Sequence, residues 1–343
     1  RFMAYTIKDI AALAGVSIGT VSRILNGKTG VKPATREKVL AVAKQLNYSP
    51  NHIAKSMKTN KTFTIGLIVA DITNPYYSYS AKIIEMRARE HNYTVIVGNT
   101  NNNSNLQEDI IDNLKERKVD GFIFASVGLR DKAVKDLINA GQPCVMYNRH
   151  LLDYYGNFIG CDDAKGVRMV LDHLISFGHQ KIAFISGPRK YSTGMERLKA
   201  FLNISKEMNI ETPSYYFSEG GYDKTITAAS VEELLDLPEP PTAIFAANDF
   251  MALQVLDTVL KKGYKVPEDI SIVGFDDIDI ASHNSIQLTT VNVQMKRCAQ
   301  LVIEKVINII EGVQPASKTE KLLLEPTLMV RRSTTAPRKH NLK

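Results

Sequence analysis

YTIKDIAALAGVSIGTVSRILNG, residues 5–27, sets two short amphipathic segments on either side of a glycine. Ile7, Ile10, Ala11 and Ala14 fall at i, i+3, i+4 and i+7, one apolar face of a helix, and Gly15 follows where a helix stop belongs. Ser17 is placed to cap a second helix whose Val21, Ile24 and Leu25 face inward. A step of about 100° per residue leaves Gly19, Ser22, Arg23 and Asn26 on the opposite side. Pro33, at a first-turn position, and Val39, Leu40, Ala43 and Leu46 mark a third helix. Three helices in fewer than fifty residues is helix-turn-helix spacing, in which the second helix enters the DNA major groove. Gly19 is unusual there, because glycine costs an exposed helix interior about 1 kcal/mol relative to alanine.

Charge is concentrated in the same region. Residues 1–61 hold eleven Lys or Arg against Asp9 and Glu37, a net +9, whereas the whole chain of 343 residues is +7. A basic head on a near-neutral body is the electrostatic footprint of a nucleic-acid module, since each cation that meets a phosphate releases counterions. On charge alone a solvated face is an equal alternative, and the helical pattern decides for DNA.

At 343 residues and 44% hydrophobic composition, the chain can bury two or three cores. It holds no apolar run of membrane-spanning length and no secretory segment at its amino end, so no membrane partner and a cytoplasmic location are expected. Cys144, Cys161 and Cys298 lack metal-ligand spacing and read as buried thiols of a reducing compartment. There is no Walker motif, no GxSxG, and no His/Cys/carboxylate cluster with metal spacing, so no catalytic residues, metal or cofactor are expected.

From residue 62 the texture changes. TFTIGLIVA, YTVIVGN, DGFIFAS, PCVMYN, KIAFISG, TAIFAAN and ISIVGFDD are near-continuous apolar runs separated by helical stretches, the pattern of doubly wound parallel α/β sheets covered on both faces. Ligands of such sheets bind beyond the carboxyl ends of the strands. The polar residues there are Arg149, Asn248, Asp249 and Asp276, with Tyr76 and Tyr77 after the first strand and Arg197 early in the helix after KIAFISG. Carboxylates and arginines hydrogen-bond vicinal hydroxyls, and an aromatic ring covers a sugar's apolar face. An Asp or Asn after a strand can equally be a helix cap.

The segment SPNHIAKSMKTN, residues 49–60, places Ile53, Ala54 and Met57 at helical spacing, in a stretch too short to be helical alone.

YTIKDIAALAGVSIGTVSRILNG, TREKVLAVAKQLNYSPNHIAKSMK, ADITNPYYS, FAANDFMAL, VGFDDIDIA and LTTVN together resemble the LacI/GalR (lactose-repressor) family of bacterial transcription regulators over nearly the whole chain. The resemblance implies a helix-turn-helix domain at 5–50, a hinge helix and linker at 51–61, and an effector-binding and dimerisation domain at 62–335. That domain would have the two-lobed periplasmic-binding-protein fold, with lobe 1 at about 62–161 and 290–320 and lobe 2 at about 162–289 and 321–335. The crossings between lobes are then expected near Cys161, Thr289 and Lys321.

By the same resemblance, Ile18, Gly19 and Arg23 meet base edges, so Gly19 removes one reading side chain. Ile18 is suited to a thymine methyl and Arg23 to guanine O6 and N7. Thr6, Ser17, Thr20, Ser22 and Asn26 complete the head's DNA contacts, mainly to phosphates. His52, Ala54, Lys55 and Met57 belong to the hinge, with Met57 the minor-groove wedge where the family carries leucine. The effector set is Tyr76, Tyr77, Arg149, Tyr191, Arg197, Asn248, Asp249 and Asp276. Tyr191 stands where purine-binding relatives carry an arginine, which argues against a purine.

The implied protein is an effector-controlled repressor, associated with the bacterial nucleoid, that binds palindromic operator DNA as a homodimer. Its effector would be a sugar, sugar acid or sugar phosphate. A sugar-transport receptor shares the body but not the basic head. A catabolite-control regulator with a phosphoprotein partner is a further branch of the family.

Overall fold

The head's first helix, α1 (Ile7–Ala14), stops at Gly15, whose φ of 66° is the left-handed conformation that glycine adopts without a Cβ penalty. At its start the Asp9 carboxylate accepts hydrogen bonds from the Thr6 backbone N–H (2.7 Å) and hydroxyl (2.8 Å), which hold Asp9 below the usual carboxylate range. Helix α2 (Ile18–Leu25) begins where Ser17 Oγ accepts from the Thr20 N–H at 3.1 Å, and α3 (Pro33–Gln45) starts on its proline. Ile10, Ala11, Ala14, Val21, Ile24, Val39 and Ala43 form the core, with Leu25 and Leu46 partly buried at its edge. Leu40 departs from the expected inward face and is 46% exposed, because Val39, Val42, Ala43 and Leu46 already complete the stripe one step round the helix.

The computed structural model describes residues 5–25, 29–46, 48, 61–153, 156–315 and 319–338. The chain divides into two units, Arg1–Thr62 and Phe63–Lys343.

Two six-stranded sheets organise the second unit. In the first, β1 (Thr64–Val69), β2 (Thr94–Asn99), β3 (Gly121–Phe124), β4 (Cys144–Tyr147), β5 (Phe158–Cys161) and β11 (Lys321–Leu324) run parallel in the order β11-β5-β4-β3-β1-β2. In the second, β6 (Ile182–Ser186), β7 (Phe217–Glu219), β8 (Ala243–Ala246), β9 (Ser271–Asp276), β10 (Thr289–Asn292) and β12 (Thr327–Met329) lie in the order β12-β10-β9-β8-β6-β7. Here β12 alone is antiparallel, against β10.

The first lobe carries α4 (Pro75–Glu90), α5 (Ser104–Glu116), α6 (Lys132–Asn139) and α11 (Met295–Ile310). The second carries α7 (Asp163–Ser176), α8 (Ser192–Glu207), α9 (Lys224–Leu235) and α10 (Asp249–Lys261). Strands β3, β8 and β9 are buried along their whole length, as sheets covered on both faces require. Phe184, Phe201, Phe245 and Phe275 fill the second lobe, with the Phe184 and Phe201 rings stacked 4.9 Å apart.

The crossings between lobes correct the expected boundaries. Thr289–Asn292 stays in the second lobe, in register with Val273–Asp276, so the chain leaves after Asn292 rather than near Thr289. Lys321–Leu324 pairs with Phe158–Cys161 in the first, so the return follows Leu324 rather than preceding Lys321. Cys161 ends β5 immediately before α7, the expected first crossing. Cys144 and Cys298 are buried and Cys161 is half-buried, all three as free thiols. Burial pushes the Cys298 thiol up to about 12.

Candidate functional site

In the head, Thr6, Ser17, Ile18, Gly19 and Arg23 are exposed, and Thr20 and Ser22 are half-buried. Ile18 is 47% exposed, so it lies outside the three-helix core and at the start of α2, where a groove-entering helix meets bases. Ser17 and Thr20 are joined through their hydroxyls at 2.9 Å. Asn26, His52, Ala54, Lys55 and Met57 lie outside the described residues.

The second unit has a cavity between its lobes, at the carboxyl ends of the strands. Asp71, Asn74, Tyr76, Tyr77, Asn102, Asn148 and Arg149 line it from the first lobe. Thr193, Arg197, Tyr222, Asn248, Phe250 and Asp276 line it from the second. The cavity is narrow, with a volume of about 30 Å³. Asn102, Asn148, Tyr222 and Asp276, all in the lining, have φ values of 57°, 64°, 57° and 123°. Such strained backbone clusters where a scaffold presents groups to a ligand.

Helix starts aim the lining side chains. Asn74 Oδ1 accepts from the Tyr76 N–H at 3.0 Å and opens α4, which carries Tyr76 and Tyr77 into the cleft. Asn248 Oδ1 accepts from the Met251 N–H at 2.9 Å, so this residue both caps α10 and lines the cavity. The Tyr76 ring stacks on Tyr147 at 5.9 Å, and burial raises the Tyr77 phenol to about 12.

Arg197 is 2% exposed and heavily engaged. Its Nη2 donates to Asp163 Oδ1 at 3.0 Å and its Nη1 to the Ala247 carbonyl at 2.5 Å. Asp276 Oδ1 lies 3.7 Å from Nη1, and the guanidinium sits 3.8 Å over the Phe275 ring. Burial opposes its charge, but the two carboxylates outweigh burial and raise its pKa. Burial in turn pushes Asp163 and Asp276 above the usual carboxylate range, with Arg197 opposing in both cases.

Arg149 is also 2% exposed, and no carboxylate forms an ion pair with it among the described residues. Nη1 donates to Asn102 Oδ1 at 2.9 Å, the guanidinium lies 3.9 Å over the Tyr191 ring and 5.3 Å from that of Tyr222, and Nε is buried without an acceptor.

Two of the expected effector residues are placed differently. Tyr191 does not line the cavity; its ring backs Arg149 and its hydroxyl donates to the Asn102 carbonyl at 3.2 Å. Asp249 is fully buried and turned away: Oδ1 accepts from Thr290 Oγ1 at 2.5 Å and Oδ2 from the Ile278 N–H at 2.9 Å. It fills the space over Gly274, where an added Cβ would come within 2.1 Å of Oδ1. Burial raises its pKa to about 6. Asp249 is therefore a brace between strands, not a ligand group.

The lining residues absent from the sequence reading are Asp71, Asn74, Asn102, Asn148, Thr193, Tyr222 and Phe250, with Asp163 behind Arg197. Asn148 and Asn102 follow visible strands and fit the strand-end rule. Tyr222 follows β7, a strand of three residues, and offers no such signal. Among the described residues no group of three His, Cys, Asp or Glu could hold a metal ion, and no helix is long and apolar enough to cross a membrane.

A three-helix DNA-reading head on a two-lobed ligand-binding body defines a DNA-binding regulator with a small-molecule cleft. Residues 6–51 match the profile of bacterial regulatory proteins, lacI family, and residues 171–334 that of the periplasmic binding protein-like domain. Over 332 residues the chain is 35% identical to the probable HTH-type transcriptional repressor ExuR of Bacillus subtilis (strain 168), spanning 96% of this chain and 98% of that one. The lac repressor dimer bound to operator and the anti-inducer ONPF superposes with a TM-score of 0.85 at 27% identity, covering 97% and 100% of the two chains. The transcriptional regulator CelR in complex with cellobiose gives 0.72 at 30% identity, covering 96% and 99%. The chain belongs to the LacI family of bacterial transcriptional regulators. It is a regulator rather than an enzyme.

Proposed function

We propose that this protein is a repressor that binds a palindromic operator as a homodimer and releases or grips it according to a small hydroxylated effector held between the lobes. The observation that carries the reading is the cavity itself, lined from both lobes by Tyr76, Tyr77 and Arg149 on one side and Arg197, Asn248 and Asp276 on the other. Hydroxyls, carboxylates and guanidinium groups form bidentate pairs, and tyrosine rings cover a pyranose face. Similar proteins have been solved with small molecules, CelR with cellobiose and the lac repressor with the anti-inducer ONPF.

Ile18 and Arg23 read bases, and Ser17, Thr20 and Ser22 position the head on phosphates. Lobe closure alters whether residues 51–58 of the two subunits pair as helices on DNA, so effector and operator affinities are coupled reciprocally. Operator binding places the protein at the nucleoid, in the cytoplasm.

Fluorescence-anisotropy titration of a pool of palindromic operators, at two salt concentrations and against a panel of sugars and their derivatives, tests this. Tight, salt-sensitive binding that one compound changes supports the reading, and the direction of change gives the sign of regulation. Sugar binding without any DNA binding overturns it.

A further inference from the structure

Two guanidinium groups face one cavity from opposite lobes and differ in how their charge is balanced. Arg197 has Asp163 at 3.0 Å and Asp276 at 3.7 Å. Arg149 donates to the neutral Asn102 Oδ1 at 2.9 Å and lies against two tyrosine faces, with the Asp276 charge acting on it only from beyond ion-pair distance. Among the described residues no carboxylate lies within 4.0 Å of Arg149. Asp71, the remaining acid in the lining, is occupied locally: its Oδ1 accepts from the Thr73 N–H at 2.9 Å and hydroxyl at 2.8 Å. A cation buried this deeply is costly unless a counter-charge completes it, and Arg149 Nε, like Arg197 Nε, is a buried donor with no acceptor among the described residues.

We propose that the effector is a sugar acid whose carboxylate pairs with Arg149. This rests on the reading of the cavity as an effector site and specifies its ligand class. A guanidinium edge matches a planar carboxylate in two parallel hydrogen bonds, and Nε with one terminal nitrogen is such an edge. Arg197 already has its own acids at 3.0 and 3.7 Å, so the ligand's negative charge belongs on Arg149, which has none within 4.0 Å among the described residues. The ligand's hydroxyls then face the polar groups of the second lobe, Asn248, Asp276 and Arg197. Tyr191, with its ring against the guanidinium and its hydroxyl tied to the Asn102 carbonyl, is a positioning residue that holds Arg149 toward the cleft.

Calorimetric titration of the full chain tests this with matched probes: glucose and galactose, their 6-phosphates, glucuronate, galacturonate, the corresponding uronamides, and gluconate. At least one acid is expected to bind about 10- to 100-fold more tightly than its neutral parent, the scale of a buried charged hydrogen-bond pair. For a uronate, the amide should lose that advantage on the unaltered protein, so the result does not depend on a variant folding. Arg149→Gln is expected to bring acid and parent to within about threefold of each other, on the same scale. A neutral sugar that binds as tightly as its acid overturns the charge assignment and leaves the effector site standing. Preference for the 6-phosphate overturns the carboxylate. Operator binding with no response to any of these saccharides overturns the sugar-effector reading itself, and this inference with it.

Discussion

His150 Nε2 lies 3.0 Å from Glu196 Oε1, an ion pair that joins the first lobe to the second beside Arg149. It is one of a set of bonds across the same seam. The His150 N–H donates to Ser192 Oγ at 3.1 Å, the Leu129 N–H to the Lys190 carbonyl at 2.9 Å, and Tyr191 Oη to the Asn102 carbonyl at 3.2 Å. Residues 190–196, which follow the second lobe's first strand and open α8, are thus the latch for closure.

The pair makes that latch pH-dependent. Burial pushes the His150 pKa down, but Glu196 and the Leu151 carbonyl outweigh it and the net shift is upward. Glu196 is held below the usual carboxylate range, burial being outweighed by His150. The stabilisation is therefore present below the histidine's ordinary value and is lost as pH rises through its raised one; at the acid end it is lost as pH falls through the lowered Glu196 value. An NMR titration should find His150 above the ordinary histidine range. In Glu196→Gln it should fall, since the Leu151 carbonyl alone then opposes burial. A titration unmoved by the substitution would break the assignment.

Arg197→Ala should be among the more damaging single changes in the body. It leaves Asp163 and Asp276 buried without their cation, a loss of about 3–5 kcal/mol for a broken buried pair. Because both acids then favour their neutral forms more strongly, the deficit should shrink on acidification. Urea melts of both proteins at pH 7 and pH 5 measure this, and an equal deficit at the two pH values would contradict it.

Asp249→Asn separates bracing from ligand binding. The amide keeps one acceptor for two donors, Thr290 Oγ1 and the Ile278 N–H, so about 1–3 kcal/mol of stability should be lost. The anisotropy response to effector should keep its midpoint. A shifted midpoint with unchanged melting would return Asp249 to the ligand set.

Much of this architecture is written in local pattern. Strands such as Thr64–Val69 and Ser271–Asp276 are buried on both faces and read as apolar runs. Lys321–Leu324 lies at a sheet edge, exposed and half-buried by turns, with an apolar run of only three leucines, and Phe217–Glu219 is only partly covered, so neither shows the longer run of a central strand. Which lobe a strand joins depends on pairing partners distant in sequence, which is why the crossings at Asn292 and Leu324 fall outside local reading. The strand-end rule finds the cleft but not side-chain direction. Asn248 and Asp249 are neighbours after one strand, yet the first lines the cavity and the second points under Gly274.

Arg23→Ala tests the reading face of α2. Arg23 is exposed beyond the buried Val21 and Ile24, and a bidentate contact to guanine is worth about 1–3 kcal/mol of discrimination. The variant should relax base preference at one position per half-site, measured by selection from a randomised operator. Binding to every operator weakened alike would instead make Arg23 a phosphate contact.

Gly19 can be tested from both sides. It is exposed, and among the described residues a Cβ built there would meet only Ser17 Oγ, at 3.8 Å, so none of them requires glycine. Gly19→Ala should hold or raise the head's stability, by up to about 1 kcal/mol. Gly19→Gln should go further and present an amide that pairs with adenine N6 and N7, adding an adenine preference of about 1–3 kcal/mol at one operator position. If glycine is instead needed for close approach of the DNA backbone, both variants will melt normally yet bind all operators more weakly, with no new preference. Selection from a randomised operator, read alongside melting curves, separates a missing reading side chain from a steric requirement.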